Sequence, residues 1–141
     1  MFEDLDEMAI RKAFFYLDII WGIIGVIAMA AVVHAFVTQT GEMVQVLGMV
    51  IPRSLLYVLI PCHIILIPWT FYQAYTALYN VDAFLANYPW ILIIALILSV
   101  TENLFRGPQT YLVMCICLFD WISDVIGIPF VQALYKRRAK S

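Results

Sequence analysis

Charge is scarce in this chain: acids and bases together make up 13% of its 141 residues, about half the usual share of a soluble domain. Hydrophobic residues reach 65%, where soluble domains carry roughly 45–50%. A chain so poor in charge has too little polar surface to cover a core in water, and it reads as an integral membrane protein. The charge that exists is segregated. Four of the ten acids lie in FEDLDE, residues 2–7, and four of the eight bases lie in KRRAK, residues 136–140. The net charge of −2 therefore describes two tails. No basic stripe is available for a phosphate backbone, which excludes nucleic acid as a partner.

Cysteine is also rare. Cys62, Cys115 and Cys117 all fall inside apolar segments, where an extracellular disulfide framework would not sit. Cys-Ile-Cys lacks the two-residue spacing of redox and zinc pairs, so the three are expected as buried small hydrophobes. There is no Gly-rich phosphate loop, nucleophile elbow, nucleotide fingerprint or HExxH pair. The sequence thus assigns no catalytic residue and leaves metal and cofactor unknown. No small-residue cleavage signature follows the first apolar run, which is expected to stay as an anchor.

What the chain does have is long apolar runs. Four are long enough to cross a hydrocarbon core that takes about 20 helical residues, at about 13–37, 54–78, 84–105 and 110–134. The expected fold is all-α: one transmembrane domain over residues 1–141, an integral membrane four-helix bundle with short loops. An even number of crossings puts both termini on one side. Arg11 and Lys12 flank the first run, and Lys136, Arg137, Arg138 and Lys140 flank the last. The positive-inside bias makes that side the cytoplasm or its equivalent, in a plasma, inner or organelle membrane. Residues 2–10 have the pattern of a short interfacial amphipathic helix, with Phe2, Leu5, Met8 and Ala9 opposite the acids. Residues 38–53 are too apolar for a solvated linker and are expected to form an interfacial turn or half-helix before Pro52. Gly107 and Pro108 mark a tight turn that makes the third and fourth helices antiparallel neighbours. Phe14, Phe15, Tyr16, Tyr88 and Trp90 fall where an aromatic belt at headgroup level would sit.

The polar residues inside the spans carry the functional question. Asp120 and Asp124 are four apart, which puts both on one face of the last helix. At about 1.5 Å per residue, Asp120 lies about 15 Å from the outer end of that helix and His63 about 14 Å from the outer end of the second. The same arithmetic puts Asp18 about 8 Å from the inner end of the first. Two levels are expected: His63 with Asp120 near the midplane, and Asp18 with Asp124 closer to the termini. A carboxylate at the centre of a span costs about 2.5–3.5 kcal/mol on insertion scales, so these acids must be protonated, paired or hydrated, and walled off from lipid by other helices. They either fasten helices together by hydrogen bonds or form a proton relay or cation site, with a divalent metal site as a further alternative.

Around them, Asp18, Gly22, Gly25 and Met29 form a narrow stripe whose small residues let another helix approach closely. Pro61 and Pro68 bracket His63 and should bend the second helix there. Glu102 and Arg106 have the favoured i, i+4 order of a helical ion pair at the outer interface, within reach of His34.

These features support three readings of function. The chain has almost no polar loop in which to build an independent site, which makes it an accessory or structural subunit of a larger membrane complex, partnered by the bilayer and by other membrane subunits or its own copies. The Asp/His cluster makes it a proton- or cation-coupled transporter or channel acting as an oligomer. The same cluster serves an intramembrane enzyme on a lipid-like or quinone-like substrate.

Overall fold

The computed structural model describes residues 6–104 and 111–140. Among them are four helices, α1 (Glu7–Thr38), α2 (Arg53–Tyr79), α3 (Val81–Leu104) and α4 (Tyr111–Lys140), all long and apolar enough to cross a membrane. Between α1 and α2 lies an antiparallel hairpin, β1 (Met43–Val46) and β2 (Met49–Pro52).

Helix α1 begins where Asp6, in extended backbone, accepts the amide of Met8 at 3.2 Å, the geometry by which a side chain satisfies an orphan donor of the first turn. Residues 7–10 are therefore the start of α1, and Ile10 is buried in the core. A separate amphipathic helix over 2–10 is not what forms across Asp6, while residues 1–5 lie outside the described residues. Helix α2 runs unbroken through Pro61 and Pro68, as α3 does through Pro89 and α4 through Pro129.

The hairpin replaces the turn or half-helix expected over 38–53. Val44 and Val46 point inward while Met43 and Gln45 are exposed, the period of two that one buried sheet face requires. Leu47 and Gly48 both have positive φ, 54° and 78°, which is what a two-residue turn needs to match the strand twist. Val44, Val46 and Ile51 pack with Val32, Ala35, Leu56, Leu59 and Leu98, so the hairpin closes that end of the bundle. Gln39 pins it, accepting from the Gln45 amide and donating to the Gln45 carbonyl.

Helices α1 and α2 are the closest pair. A Cβ on Gly22 would stand 2.6 Å from the Phe71 ring and one on Gly25 would stand 3.2 Å from Ile67, so the small-residue stripe is the seam between them. Two arginines lock this seam at both ends. Arg11, near the start of α1, donates to the Ala77 and Leu78 carbonyls that end α2. Arg53, at the start of α2, donates to the carbonyls of Phe36, Gln39 and Gly41 around the end of α1. Each satisfies carbonyls that have no partner within their own helix and places a cation at the negative end of its dipole. Helices α3 and α4 run antiparallel. Trp121 Nε1 donates to Ser99 Oγ at 2.7 Å, the Tyr135 hydroxyl donates to the Leu85 carbonyl, and Arg138 pairs with Asp82 at 3.5 Å.

At the end carrying the α2–α3 turn, Ile10, Phe14, Ala77, Val81, Phe84, Leu85, Val131 and Leu134 form a second core cluster. Phe14 packs against Phe84 and Tyr88 at 5.2 and 5.9 Å between ring centroids. Phe14 is thus a core residue and not part of a belt, whereas Tyr16 and Trp90 are exposed. Cys115 is exposed and Cys62 and Cys117 are half-buried, and none is in a disulfide. The expectation that they are buried fails because these helices keep apolar side chains on their outer faces too.

Candidate functional site

Four of the polar residues singled out in the sequence face the interior of the bundle, and they share it with a fifth that was placed elsewhere. His63 sits on α2 one turn after Leu59, and its Nδ1 is 2.8 Å from the Leu59 carbonyl oxygen. A carbonyl only accepts, so Nδ1 carries a proton and donates. That leaves Nε2 facing α3, and there it meets Glu102 Oε1 at 3.0 Å. The expected partner of His63 was Asp120, and the expected partner of Glu102 was Arg106. In the structure His63 and Glu102 find each other, and Arg106 lies outside the described residues. His34 is exposed, and among the described residues the ion pair of Glu102 is with His63 and not with His34.

Asp120 reaches the same place from α4. It lines a cavity of about 280 Å³ with His63 and Glu102, between the α2 and α3 walls and beneath the hairpin residues Leu47, Met49 and Ile51. Most of the lining is aliphatic. The Trp21 indole borders the cavity from α1, and its Nε1 is buried without a hydrogen-bond partner among the described residues. His63 and Glu102 side chains are 22% and 30% exposed, so the pair is enclosed by helices but open to the cavity.

The second level lies one turn along α4. Asp124 is near enough to Asp18 on α1 for their charges to interact, and the charges of both act on the Tyr88 hydroxyl of α3. Gly127 makes this approach feasible, since a Cβ there would stand 3.0 Å from the Tyr88 hydroxyl and 3.4 Å from the Phe14 ring. Asp120 in turn feels Glu102, and Asp124 feels Asp120. The ionisable groups therefore form one file through the bundle: His63, Glu102, Asp120, Asp124 and Asp18. All four helices contribute to it, because the Gly22 and Gly25 seam brings α1 close to α2 and the i, i+4 spacing on α4 presents both acids inward.

The chemistry available here is that of protons and positive charge. No three His, Cys, Asp or Glu side chains converge on a common point among the described residues, so the file is extended where a metal cage would be compact. Two residues of the site were missed or misplaced by sequence reasoning. Tyr88 was assigned to a belt, although its i, i+4 relation to Phe84 marks a shared helix face. Glu102 was assigned to a local ion pair, because spacing within α3 does not reveal that His63 of α2 stands opposite it. Comparison with known protein families, characterised proteins and solved structures finds no match.

Proposed function

We propose that this is an integral membrane protein that moves or relays a proton or monovalent cation through its own file of ionisable side chains. The observation that carries the reading is the His63–Glu102 contact at 3.0 Å opening on a cavity that Asp120 also lines. Intramembrane ionisable groups are expensive to insert and face the bundle interior when they are used for ion or proton movement. Here they form a succession in place of an isolated pair. In this reading Asp120 and Asp124 carry the charge onward from the cavity, Asp18 receives it at the far level, and the termini lie on the cytoplasmic-equivalent side, where the basic tail belongs. Four helices enclose little space, which favours an oligomer as the working unit.

The test is reconstitution in vesicles containing a pH-sensitive dye. Wild-type protein is expected to dissipate an imposed proton gradient, and Asp120→Asn to lose at least tenfold of that flux while keeping the wild-type elution profile in detergent. Absence of proton or alkali-cation flux from wild-type vesicles at every pH would overturn the proposal.

A second reading, an accessory subunit of a larger membrane complex, is supported by the cleft between α1 and α4. That cleft, about 370 Å³ and walled by Ile10, Phe14, Leu17, Phe119, Ile126 and Phe130 among others, is apolar and lies open on the bundle's side. This reading expects larger membrane proteins to co-purify after mild solubilisation, and a lone homogeneous species counts against it.

A further inference from the structure

The carboxyl of Asp120 lines the cavity and, among the described residues, takes part in no hydrogen bond or ion pair. Ser123 Oγ donates to the Asp120 backbone carbonyl and leaves the carboxyl aside. The other polar groups of the wall are engaged. His63 meets the Leu59 carbonyl through Nδ1 and Glu102 through Nε2. Thr70 Oγ1 donates to the Leu66 carbonyl, and Ser99 Oγ accepts from Trp121. A polar group held away from water without a partner costs free energy, and this one borders about 280 Å³ of open space.

Water would satisfy the acid but not the rest of the wall. Ile24, Val32, Leu56, Leu59 and Leu98 make that wall largely hydrocarbon. Apolar cavities stay dry and take up apolar guests, and one of about 150 Å³ holds benzene. At about 280 Å³ this cavity has room for a single ring with a short alkyl chain. A few polar groups orienting an otherwise apolar guest is the usual make-up of a small-molecule pocket.

The polar group of the guest follows from hydrogen-bond capacity. A cation suits Asp120 and Glu102 only when they are ionised, and a carbonyl suits them only when one is protonated. A hydroxyl both donates and accepts. It gives its proton to a carboxylate oxygen or accepts one from a carboxylic acid, so it is held in either ionisation state of the two acids. Such a guest requires no particular net charge in the cavity. A divalent ion is a poorer match, since no three ligating side chains converge among the described residues.

We propose that this cavity binds a small neutral alcohol or phenol with a hydrocarbon body, its hydroxyl hydrogen-bonded to the carboxyl of Asp120. The ring or chain lies against the aliphatic side chains that α1, α2 and α3 contribute to the wall. The inference concerns the same cavity as the proton-handling reading but needs no flux to hold.

The test uses the full chain purified in detergent and 4-propylphenol as the probe, a phenol whose pKa of about 10 keeps it neutral at about pH 5 and about pH 8. Titration calorimetry, with protein-free micelles as the blank, compares it with 4-propyltoluene, in which a methyl group replaces the hydroxyl. Wild-type protein is expected to bind the phenol at both pH values, and about tenfold or more tightly than the toluene, since a site built around a hydroxyl rejects the analogue lacking it. Asp120→Leu should reduce that preference to about threefold or less, because it removes the hydrogen-bonding group. Asp120→Asn keeps a donor and an acceptor at the position and should bind the phenol within about threefold of wild type, although it is expected to lose flux. Ala95→Phe, which adds a ring to the cavity wall, should abolish binding. Each variant is read where it keeps the wild-type elution profile. Equal affinity for phenol and toluene, a preference that survives Asp120→Leu, loss of binding at either pH, or no binding at millimolar phenol would each overturn the proposal. Phenol binding in a protein that carries no flux leaves this site standing and removes transport. Flux without phenol binding does the reverse.

Discussion

At the level of single residues, close approach explains more of the structure than charge does. Gly22 is buried with the Phe71 ring against it, and a methyl group there would stand within 3.0 Å of three ring atoms, whereas at Gly25 it would meet the side-chain carbons of Ile67 at 3.2 and 3.5 Å. Gly22→Ala must rotate the ring or part the helices, and overpacking of this kind costs about 1–3 kcal/mol. Gly25→Ala should cost less, because an isoleucine tip can give by a few tenths of an ångström. Thermal unfolding in detergent, followed by circular dichroism, should rank the two that way, and equal melting temperatures for both variants and wild type would remove this seam from the account. Arg53 gives a second prediction at this scale. Its guanidinium spans three carbonyls and lies 4.8 Å from the Phe36 ring centroid. A hydrogen bond from a charged group contributes about 1.5–3 kcal/mol, so Arg53→Ala should destabilise by at least that much in the same assay. Arg53→Lys should not restore it, since a point charge cannot present the planar fork.

At the level of elements, the hairpin shows how a short apolar loop can be misread. The alternation of Val44 and Val46 was visible in the sequence, but Leu47-Gly48 is not one of the Asn-Gly or Asp-Gly pairs that mark a two-residue hairpin turn. The alternation was overridden by the expectation that an apolar segment between two spans lies flat at the interface. Leu47 holds a left-handed conformation at φ 54°, which disfavours most side chains by roughly 1–2 kcal/mol. Leu47→Asn creates the Asn-Gly pair preferred in such turns. It should slow hydrogen exchange at the amides paired across β1 and β2, measured by mass spectrometry, while unchanged or faster exchange would contradict the turn geometry. The helices themselves were legible because uninterrupted hydrophobicity over a span length has few alternatives. Glu102 was not legible in the same way. Its local partner satisfies a rule of sequence spacing, but its partner in space depends on how α2 and α3 face each other, and spacing within one helix does not encode that.

At the scale of the whole molecule, the contacts of Arg11 with the end of α2 and of Arg138 with Asp82 bring both described ends of the chain to the α2–α3 turn, with the hairpin at the opposite end. The two levels of polar residues could be anticipated from counting alone, since helices of known rise place Asp18, His63, Asp120 and Asp124 at heights that folding only has to bring together. Which side chains touch at those heights had to come from the structure. In a background with Cys62, Cys115 and Cys117 replaced by alanine, single cysteines introduced as Asp6→Cys and Lys140→Cys should react with a membrane-impermeant maleimide from the same side of the membrane, and Thr40→Cys from the other. Reaction of positions 6 and 140 from opposite sides would be incompatible with four crossings. With four crossings, outward-facing residues such as Ile27, Ile65 and Val125, 66%, 68% and 67% exposed, would meet acyl chains, where hydrophobicity gives helices no reason to associate and close packing and hydrogen bonds must hold them.

The reciprocal arginine clamps have a consequence for biosynthesis. Once Tyr79 has left the ribosome, the first two helices already possess both locks that join them, and neither lock draws on anything encoded later. The early half of the chain can therefore settle as a finished insertion unit while the later half is still being translated, and the cavity acquires its acids, Glu102 and Asp120, only as the last two helices dock against it.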